Sequence, residues 1–192
     1  GKLQKIVEMT NLEKELLNIE SKVGLRISLS ENTISINQIF QLKNKSTIGL
    51  ILLLIGGATF LAFPFLGKKT DISSLIICSV FGLLFFGLSL LSLVRQTTDH
   101  TTIKNGKINF IYNLRSFSIP INNEMTIDMK TEILNVRSSS FIQVNHYLLI
   151  NENRKQILNF QTEKNNSEEA KLLGNYITQI LNEKLQLYKA SH

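Results

Sequence analysis

Two stretches of this chain, Ser46–Gly67 and Ile72–Val94, contain no Asp, Glu, Lys, Arg or His and stand only four residues apart. As helices rising ~1.5 Å per residue, runs of this length reach roughly 33–35 Å, a hydrocarbon core crossed with slight tilt. The link Lys68-Lys69-Thr70-Asp71 is too short for anything but a helical hairpin. Buried core helices are the alternative, and two uncharged runs of this length argue against it. With 45 residues ahead of the first run, that run is not expected to be a cleavable signal peptide. Two antiparallel membrane spans are therefore expected.

Composition matters here because of how it is distributed. Charged residues make up 19% and the formal net charge is +6. Nearly all of that charge lies outside the two runs. The partition excludes an ordinary soluble domain and a disordered chain. The charge follows membrane topology, and no basic-aromatic stripe is present, so nucleic acid is not an expected partner. A single cysteine, Cys78, excludes a disulfide framework and a cysteine-based zinc site. The chain opens on Gly1 and not Met, which is expected of a trimmed or processed start.

Lys43 and Lys45 precede the first run, and Arg95, Lys104 and Lys107 follow the second, against Lys68 and Lys69 in the link. The positive-inside rule then places both termini in the cytoplasm. Neither run carries an ionisable residue from which an ion path or proton relay could be built. Gly56, Gly57, Ser79, Gly82 and Gly87, joined by Ser89 and Ser92, are small enough to permit close helix packing. They serve either the hairpin's own packing or a face for another membrane subunit. Pro64 helps end the first span.

The flanks read as one α+β unit. Met9, Leu12, Leu16, Ile19 and Val23 form an a/d seam on an N-terminal helix ending near Gly24. That seam packs either on the chain's own domain or on a protein partner. Leu25–Asn37 alternates apolar and polar residues as a β-hairpin. After the spans, Thr101–Lys104 and Lys107–Tyr112 flank Asn105-Gly106, a two-residue hairpin turn. Further strands are expected at Arg115–Pro120, Met125–Met129, Ile133–Arg137, Phe141–Ile150 and Lys155–Phe160. Asn166 or Ser167 then caps a closing helix with Glu168 and Glu169 in its first turn. Its apolar stripe runs through Ala170, Leu173, Ile177, Ile180, Lys184 and Leu185. The organisation expected is an N-terminal helix (1–23), a first hairpin (24–45), spans at 46–67 and 72–94, and a β domain with a C-terminal helix (95–192).

This layout resembles bacterial membrane proteins with PH-like domains. The resemblance rests on Val23-Gly-Leu-Arg-Ile27 before a two-span hairpin and Thr102-Ile-Lys-Asn-Gly-Lys-Ile108 after it. It continues through Arg115-Ser-Phe-Ser-Ile-Pro-Ile121, Leu148-Leu-Ile150 and the terminal strand and helix, Ile157–Leu185. It implies a hairpin in a bacterial inner membrane, inserted into a PH-like antiparallel β barrel or sheet capped by a C-terminal α-helix.

No GxSxG, HExxH, P-loop, GxGxxG or CxxC motif occurs, so neither an enzyme nor a bound cofactor or metal is expected. His100, His146 and His192 have no metal-ligand spacing, and His146 fits the face of a strand. Cys78 falls mid-membrane, where a thiolate is poorly solvated. Three non-catalytic readings remain. The chain is a membrane-anchored interaction module or scaffold of a membrane complex, in contact with membrane lipids and binding a protein partner or a second copy of itself through the hairpin or the N-terminal helix. It is an immunity protein against a membrane-acting toxin. Or it is a regulator that senses anionic lipid headgroups through Lys43, Lys45, Arg95, Lys104, Lys107 and Arg115.

Overall fold

A computed structural model describes residues 18–30, 32–39, 45–66, 71–136 and 139–190. The chain divides into two compact units, one comprising Gly1–Ile39 with Thr98–His192 and the other Phe40–Thr97.

The first unit begins, among the described residues, with a short helix α1 (18–23). Gly24 ends it with φ 73°, a left-handed conformation that glycine adopts without steric cost. Five strands follow in one antiparallel meander: β1 (Leu25–Ser30), β2 (Thr33–Gln38), β3 (His100–Lys104), β4 (Lys107–Tyr112) and β5 (Arg115–Pro120). Register explains why the alternating sequence folds this way. Ile34, Ile103, Ile108 and Ile119 stand opposite one another across successive strands, as do Ile27, Ile36, Thr101, Phe110 and Phe117. These two rows put one face of the sheet into the core, where Ile36, Ile103, Ile108 and Phe110 are buried.

Strands β6 (Met125–Val136), β7 (Ser139–Ile150) and β8 (Asn153–Glu163) make a second sheet in the order β6-β7-β8. A 3-10 turn at Lys164–Asn166 leads into α4 (Ser167–Ala190). Ile142, Val144, His146 and Leu148 alternate along β7 and are buried, as are Leu173, Gly174, Ile177, Leu181 and Leu185 of α4. Gly174 is required where helix and sheet meet, since a Cβ there would lie 2.5 Å from the Met129 sulfur and 2.9 Å from Val144 Cγ1. A bulge between His146 and Tyr147 shifts the register of β8, so the consecutive residues Ile157 and Leu158 are both buried.

The second unit is a helical hairpin, α2 (Lys45–Leu66) and α3 (Ile72–Thr98). Both helices are long and apolar enough to cross a membrane, and only 11% of the most apolar window of each is buried. They approach closely where Gly57 meets the backbone of Phe86 and Gly82 meets Leu61. Thr47 Oγ1 donates to Gln96 Oε1 at 3.2 Å in the same antiparallel register. Asp71 caps α3, accepting from the Ser74 amide at 3.0 Å.

One strand expectation needs correction. Met125–Met129 and Ile133–Arg137 are not separate strands. Lys130-Thr131-Glu132 continues β6 because β7 supplies a partner at every position from Met125 to Val136. The second apolar run ends at Val94, yet α3 continues to Thr98, since hydropathy marks where apolar side chains stop and not where backbone hydrogen bonding stops. The strands form two antiparallel sheets, of five and three strands, with no ladder closing them into one barrel among the described residues.

Asn105-Gly106 makes the expected turn, with φ 52° and 67°. The β4–β5 turn uses the same geometry at Asn113 (52°) and Leu114 (62°). A leucine with positive φ places its Cβ against the following carbonyl, at a cost of roughly 1–2 kcal/mol. Leu114→Gly is expected to raise the stability of the protein by about 1 kcal/mol, read as a higher midpoint in thermal unfolding.

Candidate functional site

The small residues of the hairpin do different jobs. Gly57 and Gly82 are buried between α2 and α3. Ser89 is also buried, its hydroxyl donating to the Phe85 carbonyl at 2.6 Å. Gly56 and Gly87 meet nothing within 4 Å, and Ser79 is half-buried. Internal packing therefore uses Gly57 and Gly82, while Gly56 and Gly87 lie on open helix surface beside exposed Leu52, Phe60, Phe63, Leu83 and Leu90.

The N-terminal seam is seen only at its end, since Met9, Leu12 and Leu16 lie outside the described residues. Ile19 is 1% exposed within the chain's own core and Val23 packs against that core. This corrects Ile19 as a partner-binding residue: it has no free surface to offer. Glu20, on the same turn of helix, accepts the Ile27 amide at 3.1 Å and so covers part of the β1 edge. Burial raises its pKa above the ordinary carboxylate value, against the lowering effect of that hydrogen bond. Lys22 pairs with Glu169 at 3.0 Å, tying α1 to the first turn of α4.

Within the first unit, Lys104 and Lys107 do not converge with Arg115. Lys104 and Lys107 stand opposite each other at the β3–β4 turn, whereas Arg115 begins β5 opposite Tyr112, at the other end of the same strands. Arg95 belongs to α3 in the other unit. Lys43 and the side chain of Lys45 lie outside what is described. Of the six residues expected at a lipid headgroup, Lys104 and Lys107 therefore lie at one end of the β3–β5 meander and Arg115 at the other.

Polar side chains concentrate where the two sheets face each other. Thr101 Oγ1 donates to the Ile157 carbonyl at 2.6 Å, and Gln38 Nε2 to the Asn159 carbonyl at 2.7 Å. Tyr112 Oη donates to Gln156 Oε1 at 3.0 Å. Gln156 Nε2 and Gln143 Nε2 both donate to Asn145 Oδ1 at 2.8 Å. Mutually satisfied amides of this kind fix how sheets pack and offer no activated group to a substrate. Sequence reasoning missed this set because Gln and Asn on alternating strands look like ordinary solvent-facing positions.

His146 is fully buried, its ring stacked near Phe160 at 6.1 Å between centroids. Nε2 donates to the Gly174 carbonyl at 3.0 Å, which leaves Nδ1 as a bare acceptor. Burial pushes its pKa down to about 4, with the carbonyl bond opposing the shift. It is a neutral core residue out of a substrate's reach. Among the described residues no cluster of His, Cys, Asp or Glu could hold a metal ion. A shallow cleft of ≈ 440 Å³ lies between the β3–β4 turn and the end of α4, lined by Asn105, Asn122, Tyr188 and Lys189. Lys189 is engaged there with the Met125 carbonyl at 2.6 Å.

Among the described residues, the surface features left available include the apolar outside of the hairpin and the uncovered part of the β6 edge. No protein-family model, curated protein or solved structure matches this chain.

Proposed function

We propose that this protein is a non-catalytic interaction module anchored in a bacterial inner membrane, a subunit or scaffold of a membrane complex, with both termini and the β unit on the cytoplasmic side. The observation that carries this reading is the place of the hairpin. It is inserted between β2 and β3, which are hydrogen-bonded neighbours with Asn37 opposite His100. The chain thus leaves the sheet and returns to it at adjacent strands, and α3 passes into β3 with only Asp99 between them. A β unit held at two adjacent points is presented at a surface, whereas a single long linker would let it roam. The exposed apolar helix surface supports the anchor, because a soluble protein rarely leaves so large an apolar area open. Side chains that satisfy one another between the sheets support a structural role over chemistry.

The test is purification from native membranes in mild detergent, followed by quantitative mass spectrometry. The expected result is a second polypeptide retained at comparable stoichiometry. Recovery of this chain with lipid alone would overturn the module reading.

A further inference from the structure

The open edge of β6 carries a self-complementary pattern. The backbone groups of Ile127 are engaged from outside the ladder. Its amide donates to Asn182 Oδ1 at 2.8 Å, and its carbonyl accepts from Asn182 Nδ2 at 2.8 Å. The Met125 carbonyl accepts from Lys189 at 2.6 Å, and the Met129 amide donates to the neighbouring Asp128 side chain. These contacts fix the phase of the strand: odd-numbered residues turn N–H and C=O away from β7. Helix α4 therefore covers the edge at Met125 and Ile127. Beyond it, no hydrogen bond among the described residues reaches the outward groups of Thr131 or Ile133. Ile133 is 58% exposed, and Lys130 and Glu132 pair with each other on the surface at 2.8 Å. An unprotected edge of this length is a template for another strand.

We infer that this edge binds a second copy of the chain, β6 against β6, antiparallel about a two-fold axis at Thr131. The charges select the register. A two-fold at Lys130 or at Glu132 sets that residue against its own like charge. A two-fold at Ile133 sets Lys130 against Val136 and Glu132 against Leu134. Only the axis at Thr131 puts Lys130 of each copy opposite Glu132 of the other, with Thr131 on Thr131 and Met129 opposite Ile133. Opposite charges and matched apolar residues at directly facing positions stabilise an antiparallel pair, and like charges there destabilise it. Asn182 ends the pairing by holding Ile127. The result is one continuous six-stranded sheet from the three strands of each copy. This inference stands apart from the proposed role: a chain with no other partner could still pair in this way.

The test uses the full chain in native membranes. In a Cys78→Ser background, Thr131→Cys should form a disulfide-linked dimer under mild oxidation, and Ile133→Cys should not. Two differently tagged copies supply the second arm. K130E and E132K should each lose self-association by roughly tenfold, because each places like charges opposite one another twice per dimer. Coexpressed, K130E and E132K should capture each other as the native chain captures itself. That rescue cannot come from the exposed pair within one chain, which is broken in both variants. Cross-linking through Ile133→Cys in place of Thr131→Cys would overturn the register. A monomer in both arms, or Thr131→Cys joined to a different protein, would overturn the inference.

Discussion

Gly57→Leu is expected to cost the helical hairpin roughly 2–3 kcal/mol, while Gly56→Leu, one residue away, should change stability by no more than about 0.5 kcal/mol. The difference comes from what a side chain would meet. A Cβ on Gly57 lies 2.5 Å from the Phe86 amide nitrogen and 2.9 Å from its Cα, and backbone in the middle of α3 cannot step aside. A Cβ on Gly56 meets nothing within 4 Å. Thermal unfolding of both variants in the same mild detergent, followed by the loss of the monodisperse peak on size exclusion, separates them. Equal melting of the two would mean that the helices do not meet at Gly57.

Acidification is expected to have the second large effect, through His146. Its pKa in the folded protein is about 4, against 6.5 for a free histidine. Between those values the unfolded chain binds a proton that the folded chain excludes. Stability from this residue is therefore complete above pH 6.5, falls as pH drops from 6.5 towards 4, and levels off below. At ~1.4 kcal/mol per pKa unit the loss is about 3 kcal/mol. Glu20 acts in the opposite sense, because its raised pKa favours the folded state at low pH. His146→Leu isolates the histidine. It removes the titrating group and keeps apolar packing against Phe160, and the Gly174 carbonyl retains its bond from Thr178 Oγ1 at 2.9 Å. Denaturant unfolding at pH 7 and pH 4.5 should show a much smaller pH difference in the variant than in the native protein. An unchanged difference would place the acid sensitivity elsewhere.

Much of the fold was legible because its signals are local. The uncharged runs define the helical hairpin. Asn105-Gly106 specifies its turn because both residues take positive φ readily, and the stripe from Ala170 to Leu185 specifies a helix with one buried face. What the sequence hid depends on distant partners. Lys130-Thr131-Glu132 breaks the apolar alternation and splits the sequence pattern into two strands, yet β7 pairs with it throughout. Asn113-Leu114 turns without glycine because the Tyr112–Arg115 pairing on either side imposes the bend. Ile19 and Val23 fit either a partner or the chain's own core, and only the packing of Ile19 decides between them. The basic residues look like one cluster along the chain, but strand reversal sends Lys104 and Lys107 to one end and Arg115 to the other. The edge of β6 was invisible for a similar reason. Its openness beyond Ile127 depends on Asn182, fifty-five positions away.

Side-selective labelling tests the membrane anchor on which the proposed role depends. In a Cys78→Ser background, Thr70→Cys lies between the two apolar runs and Glu152→Cys lies in the exposed β7–β8 turn. The account predicts that a membrane-impermeant maleimide reaches Thr70→Cys in spheroplasts, and reaches Glu152→Cys only after the membrane is opened. Labelling of both positions in sealed spheroplasts, or release of the protein from membranes by alkaline carbonate, would contradict it.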